Sequence, residues 1–211
     1  MNSNEPLAYR MRPKTLEEYV GQEHVLAKDK ILYRTIKADR LSSIILFGPP
    51  GCGKTSLARV ISQTTKYKFY KINAVTAGVN DIKKVIEETK NFMLNPIGKS
   101  ILFIDEIHRF NKLQQDALLP FVENGTIILI GATTENPYFE VNKALISRSM
   151  VIKLEPLTKE NIYQILKNSL ERKDGLGEYN IKIEDKKKKK LASICNGDVR
   201  TALNGLEVAV L

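Results

Sequence analysis

The chain has 211 residues, of which 43% are hydrophobic and 27% charged, and its formal net charge is +9. These values suit one well-cored globular domain with at most a small appendage, and they exclude disordered, collagen-like and membrane-spanning proteins. The amino terminus has no apolar signal core, and Cys52 and Cys195 lack metal or redox spacing, so we expect a reducing, cytoplasmic compartment and no membrane contact.

The amino-terminal part is predicted to be a helical lead-in without strands. Residues 15–18, TLEE, match a capping box, in which a hydroxyl and a carboxylate satisfy the first free N–H groups of a helix. A longer helix is predicted at about residues 25–39.

Short apolar runs alternate with amphipathic stretches between residues 43 and 154. This pattern is typical of strands joined by crossover helices, and it predicts a three-layer α/β sandwich around a five-stranded parallel sheet. The predicted strands span residues 43–47, 68–73, 100–104, 126–130 and 150–154. The predicted helices between them span residues 54–65, 81–93 and 112–124.

A domain boundary is predicted near Glu155, where the strand pattern ends. It divides the chain into an α/β domain, residues 1–155, and a partial helical unit, residues 156–211. The helices of this second unit are predicted at residues 158–172, 185–196 and 198–211, with Gly197 as a helix stop. The sequence ends at Leu211 inside an apolar helical pattern, which predicts that it is a piece of a longer protein.

A phosphate-binding loop is the strongest chemical signal in the sequence. Residues 48–55, GPPGCGKT, satisfy G-x-x-x-x-G-K-[ST] directly after an apolar strand and before a helix. In that context backbone N–H groups and the positive end of the helix create an anion site. We expect Lys54 to reach the β- and γ-phosphates of a nucleotide and Thr55 to coordinate Mg²⁺; a glycine-rich turn without a ligand is the alternative. The expected phosphate-site residues are Gly48, Pro49, Pro50, Gly51, Cys52, Gly53, Lys54, Thr55 and Ser56.

The second signal is an apolar strand that ends in two carboxylates, Asp105 and Glu106. A buried parallel strand delivers such groups to the ligand-bearing edge of its sheet. We expect Asp105 to hold magnesium through water and Glu106 to orient or deprotonate an attacking water. The alternative is a pair that only caps the next helix. Together with the phosphate loop, the pair favours nucleotide hydrolysis over binding alone.

Other polar residues are weaker signals by themselves. Residues 131–136, GATTEN, form a predicted polar turn after another apolar strand, at the same edge as the carboxylates. Arg148 and Arg200 are also weak signals, because an arginine is more often a surface cation than a catalytic group. His24 and His108 are not spaced as a metal pair, and the glycine spacing does not make the G-x-G-x-x-G of dinucleotide reductases.

These motifs together resemble the AAA+ ATPases, in the branch that contains the clamp loaders and the Holliday-junction motor RuvB. Within that branch they are most similar to the RarA (MgsA) and Werner-helicase-interacting-protein family. The resemblance extends over essentially all 211 positions. Its most specific stretches are PLAYRMRP (6–13), YVGQ (19–22), DEIHRFNK (105–112), GATTENP (131–137) and GDVRTAL (197–203).

The resemblance implies roles for residues on the adenine side of the site and next to the carboxylates. Tyr19, Val20 and Gly21 are expected to help enclose the adenine. Asn73 is expected to be a polar switch that can hold Glu106 inactive.

The resemblance also implies three groups that report on the γ-phosphate. Thr134 is the expected first sensor, with neighbouring Thr133 as the alternative. Arg148 is expected to be an arginine finger that reaches into a neighbouring subunit, and Arg200 to be the second sensor in the helical lid.

The implied cofactors are ATP and Mg²⁺, and the implied partners are DNA with single-stranded character, single-stranded-DNA-binding protein and other replication proteins. The implied role lies in replication-fork maintenance, recombination or repair. Because the family continues beyond the lid into a tetramerising helical region, the full-length protein is expected to be a homo-oligomer. The alternatives are a clamp-loader subunit or RuvB-like branch-migration motor, a non-hydrolysing scaffold subunit and, more remotely, a small-molecule kinase.

A run of five lysines at residues 186–190 contributes more than half of the excess positive charge. Without it the chain has 28 basic and 24 acidic residues, a net charge of +4. We expect the run to be a solvated helix face, with contact to nucleic acid as the alternative.

Overall fold

The computed structural model describes residues 5–179 and 181–210 of the chain. Five parallel strands form one sheet in the order β2-β3-β4-β1-β5, which confirms the predicted α/β class and the five-stranded parallel sheet. The strands are β1 (Ser43–Phe47), β2 (Lys68–Asn73), β3 (Ser100–Asp105), β4 (Ile127–Thr133) and β5 (Ser149–Lys153).

Helices cover both faces of the sheet and make up most of the chain after it. The α-helices of the described residues are α1 (Leu7–Arg10), α2 (Glu23–Leu26), α3 (Ile31–Lys37), α4 (Lys54–Thr64), α5 (Val79–Lys90), α6 (Lys112–Asp116), α7 (Leu119–Glu123), α8 (Pro137–Glu140), α9 (Lys143–Ile146), α10 (Lys159–Glu171), α11 (Asp185–Ile194) and α12 (Val199–Val210). Short 3₁₀ turns lie at Ile107–Arg109 and Gly177–Tyr179.

The sheet has a hydrophobic core on each face because successive strand side chains point to opposite sides. Ile44 and Leu46 of β1 pack with α3 and α4, whereas Ile45 packs with α5 and with the chain after β3. Every residue of β4 is buried, as expected for a central strand of a parallel sheet. This three-layer packing fixes the positions of the loops at the carboxyl ends of the strands.

Several predicted elements differ from the observed ones. The predicted helix at 112–124 is two helices, α6 and α7, because Pro120 lies in the first turn of α7 and cannot continue a helix from before it. The predicted helix at 25–39 is likewise split into α2 and α3, since the backbone at Ala27 and Lys30 is extended. The last three residues of β4, Gly131 to Thr133, were expected in a polar turn but continue the strand.

No helix begins at the predicted capping box of residues 15–18. The Thr15 hydroxyl accepts from the N–H of Glu18 at 3.3 Å, which is half of such a box. The Glu18 carboxylate instead accepts from the N–H of Lys14 at 3.0 Å and contacts Arg172 at 3.5 Å. The segment is therefore a turn that is held against the helical part of the chain.

A third hydrophobic cluster joins α10, α11 and α12. Leu7 and Met11, from the start of the chain, belong to this cluster, and the N–H of Leu7 donates to the Glu207 carboxylate of α12 at 2.8 Å. The domain division between residues 155 and 156 stays a prediction. Although α1 belongs to the predicted first domain, it packs against the helices of the second. Across the described residues, no helix combines the length and apolar character needed to cross a bilayer.

Candidate active site

Side chains from the carboxyl ends of the strands and from α12 meet in one cleft of about 490 Å³. Clefts of this size hold nucleotide-sized ligands. It collects most of the residues that the sequence singled out. Those lining it are Pro50, Gly51, Gly53, Lys54, Thr55, Ser56, Asn73, Asp105, Glu106, Thr134 and Arg200.

The phosphate loop connects β1 to α4 and has left-handed glycines where the chain turns. Gly51 and Gly53 have φ values of +70° and +104°. Lys54 is the first residue of α4 and is 8% exposed. Its ammonium donates to the backbone oxygens of Gly48 at 2.7 Å and Pro49 at 2.8 Å, so the loop curls around the lysine head group. Gly48 and Pro49 thus belong to the loop without lining the cleft.

The helical part of the chain contacts the phosphate loop directly. The N–H of Val199 donates to the backbone oxygen of Gly51 at 3.4 Å. Asp198 caps α12, since its carboxylate accepts from the N–H groups of Arg200 at 2.8 Å and Thr201 at 3.2 Å. The start of α12, with Arg200, is therefore placed over the loop.

Asp105 supplies carboxylate oxygens and Thr55 a hydroxyl oxygen on one side of the cleft. The Thr55 hydroxyl donates to Asp105 Oδ2 at 3.5 Å, and Lys71 Nζ lies 3.7 Å from the same oxygen. Oxygen donors of these two kinds fit the preferences of Mg²⁺, which is usually bound through few protein ligands together with phosphates and water. The described residues contain no cluster of three or more His, Cys, Asp or Glu side chains suited to a metal.

Glu106 stands at a sharp turn between β3 and the following 3₁₀ turn. Its φ is +56°, which is uncommon for a residue with a side chain and directs the carboxylate into the cleft. Asn73, at the end of neighbouring β2, is the register partner of Asp105 and also lines the cleft. The Asn73 side chain accepts from the N–H of Val75 at 3.0 Å. Among the described hydrogen bonds, none joins Asn73 to Glu106.

The two neighbouring threonines at the end of β4 have different surroundings. Thr134 lines the cleft. Thr133 is fully buried, and its hydroxyl lies 2.9 Å from Nδ1 of His108. Of the two threonines, Thr134 is therefore the one that lines the cleft.

A smaller pocket of about 80 Å³ adjoins the cleft and is lined mostly by hydrophobic side chains. Tyr19, Val20 and Cys52 contribute to it, together with residues of α10 and α12. The Tyr19 hydroxyl donates to the backbone oxygen of Gly53 at 3.1 Å, and burial raises the pKa of this phenol. Gly21 does not line the pocket; a Cβ there would lie 2.7 Å from Leu157. Burial also raises the pKa of the Cys52 thiol, which is therefore a packing group.

Arg12 is a cation of the site that the sequence did not single out. It lines both the cleft and the small pocket, and its guanidinium lies 4.6 Å from the ring centre of Tyr9. Burial lowers the pKa of Arg12, and the positive charges of Arg59 and Arg200 act in the same direction. Among the described residues Arg12 has no ion pair with a carboxylate, so the cleft presents a surplus of positive charge to an anion.

Unlike the other charged residues predicted for the site, Arg148 lies outside both pockets. It follows α9 and lines neither pocket. Its guanidinium pairs with Glu123 at 2.7 Å and donates to the backbone oxygen of Ala144 at 2.9 Å. The structure thus separates Arg148 from the phosphate loop of its own chain.

Sequence reasoning missed three residues that shape the site: Arg12, His108 and Asp198. Arg12 and Asp198 lie within stretches that carry the family resemblance, and an aspartate before a helical run is a readable cap. Their contacts with a loop far away in sequence had no local signal. His108 likewise lies within such a stretch, residues 105–112, but its contact with Thr133 depends on the fold.

Comparison with known proteins identifies the family to which the chain belongs. Residues 44–156 match the sequence profile of the ATPase family associated with various cellular activities (AAA). The chain is 50% identical over 207 residues to replication-associated recombination protein A of Bacillus subtilis (strain 168), which covers 98% of this chain and 48% of that protein. It is 49% identical over 205 residues to ATPase WRNIP1 of Dictyostelium discoideum, covering 97% of this chain and 23% of that protein.

A solved structure, the Holliday junction branch migration motor RuvB of Thermotoga maritima, superimposes with a TM-score of 0.75 at 27% identity. The match covers 92% of this chain and 63% of that chain. The present chain spans about half the length of the bacterial recombination proteins that it matches. With the profile match spanning more than half of its residues, and with relatives at about 50% identity, the chain belongs to the AAA family of nucleotide-binding ATPases.

Proposed function

We propose that this chain is the ATP-hydrolysing part of a magnesium-dependent ATPase that acts on DNA during replication-fork maintenance, recombination or repair. The observation that carries the proposal is the convergence of Lys54, Thr55, Asp105, Glu106 and Arg200 in one nucleotide-sized cleft. A non-hydrolysing scaffold would have no need for the two carboxylates beside the phosphate loop.

In the proposed complex the triphosphate lies along the phosphate loop, where backbone N–H groups, Lys54 and Arg200 offset its negative charge. Arg12 adds a further positive charge at the mouth of the cleft. The adenine lies on the Tyr19 and Val20 side, in the small hydrophobic pocket. The proposed role of the helical part is that of a lid, because Arg200 is carried by α12.

Thr55 and Asp105 are the residues that would hold magnesium, Thr55 directly and Asp105 through water. When bound, the ion would offset charge on the phosphate oxygens. Glu106 would orient the attacking water and accept its proton, and Thr134 would sense the γ-phosphate. Asn73, one strand away from Glu106, would be the switch that holds Glu106 inactive.

Arg148 is proposed to act on a neighbouring subunit. Its distance from the cleft of its own chain and its exposed position after α9 support a role in trans. An arginine finger can contribute roughly 10³ to 10⁵ in turnover, so hydrolysis would depend strongly on homo-oligomer formation.

The proposed partners are DNA with single-stranded character, single-stranded-DNA-binding protein and other replication proteins, and the proposed location is the cytoplasm. Support comes from the relatives named for replication-associated recombination. The similarity to a branch-migration motor favours a second candidate, a RuvB-like motor on junction DNA.

The experiment that tests the function is ATP turnover by the full-length protein with single-stranded, gapped, forked, four-way-junction and duplex DNA in turn. Stimulation by DNA with single-stranded regions supports the first candidate, whereas stimulation by the four-way junction alone favours the motor. Turnover that no DNA changes, together with no DNA binding at about 50 mM salt, would overturn the DNA-linked function, because phosphate contacts are strongest at low salt.

A further inference from the structure

His108 occupies a buried position directly behind the cleft. It lies in the 3₁₀ turn Ile107–Arg109 that follows Glu106, and its side chain is only 4% exposed. One ring nitrogen, Nδ1, is 2.9 Å from the hydroxyl of Thr133 at the end of β4. The imidazole therefore bridges the ends of β3 and β4, next to two cleft residues, Glu106 after β3 and Thr134 after β4.

The hydrogen bonds of Thr133 determine which ring nitrogen carries the proton. The Thr133 hydroxyl oxygen accepts from the N–H of Glu135 at 3.0 Å. Its hydrogen has two acceptors in reach, Nδ1 of His108 at 2.9 Å and the backbone oxygen of Glu135 at 3.5 Å, and the shorter contact favours Nδ1. In the neutral imidazole Nδ1 is then the acceptor and Nε2 carries the hydrogen. This tautomer is assigned from the hydrogen-bond partners of Thr133 and His108, because the hydrogen positions themselves are inferred from such partners.

Two carboxylates face the Nε2–H group. Glu106 Oε2 lies 3.4 Å from Nε2, and Glu135 Oε1 lies 3.5 Å from it. These distances are longer than those of a strong hydrogen bond. A small movement of either carboxylate would shorten its distance to Nε2 into the hydrogen-bonding range. A single N–H can serve only one of the two well at a time.

We propose that His108 is a positioning residue that holds the Glu106 carboxylate for its attack on water and links it to the nucleotide-sensing end of β4. The proposal rests on the proposed ATPase function. The contacts form a continuous chain: the Thr133 hydroxyl lies 2.9 Å from Nδ1, Nε2 lies 3.4 Å from Glu106, and Thr134 directly follows Thr133. A displacement of Thr134 by a γ-phosphate would be transmitted through Thr133 to the catalytic carboxylate.

The test uses two substitutions that each replace one ring nitrogen. In His108→Asn the amide falls near the position of Nδ1, so contact with Thr133 is kept and the group facing Glu106 is lost. In His108→Gln the amide reaches the position of Nε2 and can still donate to Glu106. The matched control is His24→Asn, since the other histidine of the chain contacts the backbone oxygen of Lys153 at 3.0 Å, outside the cleft.

In the full-length protein we expect His108→Asn to lower kcat about 10- to 100-fold with the Kd for ATP changed less than about twofold, since only the alignment of the reacting group is lost. His108→Gln should recover much of the lost kcat, and His24→Asn should match the wild type. Near-normal kcat in His108→Asn would overturn the proposal. Equal losses of kcat in the Asn and Gln variants would also overturn it, because a purely structural role does not distinguish the two amides.

A second variant keeps the test decisive if His108→Asn does not fold. Thr133→Val preserves the shape of the buried side chain and removes the hydroxyl, which contacts the ring and also accepts from the N–H of Glu135. We expect a loss of kcat smaller than that of His108→Asn, because the ring still faces Glu106, with unchanged ATP affinity; an unchanged kcat would contradict the link. If the wild type shows no turnover, the proposed ATPase function is wrong. If the wild type hydrolyses ATP and the His108 and Thr133 variants do so equally fast, only the proposed role of His108 is wrong.

Discussion

At the scale of single residues, the phosphate loop depends on Asp198 as well as on its own glycines. Gly51 has a left-handed φ of +70°, and a Cβ added to it would overlap the Asp198 carboxylate. Asp198 cannot move freely, because it caps α12 through two backbone N–H groups. Gly51 is therefore required both by its conformation and by the close approach of the helical part of the chain.

Gly51→Ala should consequently lower the free energy of unfolding more than Gly125→Ala. Gly125 has a similar φ of +72°, but a Cβ there would have no neighbour within 4 Å. We expect Gly125→Ala to lower the free energy of unfolding by about 1 kcal/mol through backbone strain alone. Gly51→Ala should lose more and should also weaken ATP binding, because the loop and α12 must separate. Urea unfolding and calorimetry on both variants measure this. Equal stability losses with normal ATP affinity would show that the contact with Asp198 is unimportant.

The sequence predicted those site residues that belong to a local motif. It missed those whose contacts are with residues far away in the sequence. Lys54 and Asp105 follow from a loop pattern and from the end of an apolar strand, and the structure places both in the cleft. Arg12 reaches the same cleft from the start of the chain, and no periodicity or spacing near it predicts that contact. His108 and Thr133 are 25 residues apart, so their bond becomes visible only when β3 and β4 pair.

At the scale of elements, strand positions were predicted better than helix continuity. A buried parallel strand is an apolar run with clear ends, whereas a helix can be divided by contacts that a pattern does not contain. The break before α7 had a signal in Pro120. The break between α2 and α3 had no such signal. Both helices pack against the same sheet core, and in addition the His24 ring contacts the backbone oxygen of Lys153 in β5.

The turn before Tyr19 and the end of α10 are joined by an ion-pair network around Asp174. Arg172 donates to both carboxylate oxygens of Asp174, at 2.8 and 2.7 Å, and Lys14 lies 3.2 Å away. The hydrogen bonds from Arg172, with a smaller contribution from Lys14, lower the pKa of Asp174 from 3.8 to about 2. The ionised carboxylate is thus favoured in the folded protein.

The sign of the resulting pH dependence follows from the lowered pKa. The contribution of Asp174 is fully present above the unfolded value of 3.8 and is lost as pH falls through the folded value of about 2. We expect wild type to exceed Asp174→Asn in free energy of unfolding by about 1 kcal/mol or less at about pH 6, as is usual for solvent-accessible pairs. Urea unfolding should show this difference shrinking by about pH 2. A difference that is constant with pH would rule out the assigned ion pair.

At the scale of the whole molecule, the parts of the proposed reaction are divided between the cleft and a distant surface. Glu106 lines the cleft, whereas Arg148 is about 40% exposed and paired with Glu123. Four of the five lysines at residues 186–190 are exposed on α11, as expected of a solvated face. The sequence pattern could not show which arginines face the cleft, since this depends on the packing of α9 and α12 against the sheet.

If Arg148 acts in trans, two inactive variants of the full-length protein should complement each other. Arg148→Ala and Glu106→Gln should each lack turnover, because each removes one half of every shared site. Mixed under conditions of subunit exchange, they should recover partial activity, since some interfaces then combine an intact Glu106 with an intact Arg148. Mixed oligomers without any recovery would contradict the shared site.

The most direct test of the central claim, that ATP is bound and hydrolysed in this cleft, compares ATP affinity with turnover in two variants of the full-length protein. Lys54→Ala should lose ATP binding by calorimetry, because the β- and γ-phosphates lose their main cation. Glu106→Gln should bind ATP like the wild type and lose turnover, because only the group that acts on water has changed. A Glu106→Gln protein with normal turnover, or a Lys54→Ala protein with normal ATP affinity, would contradict the account.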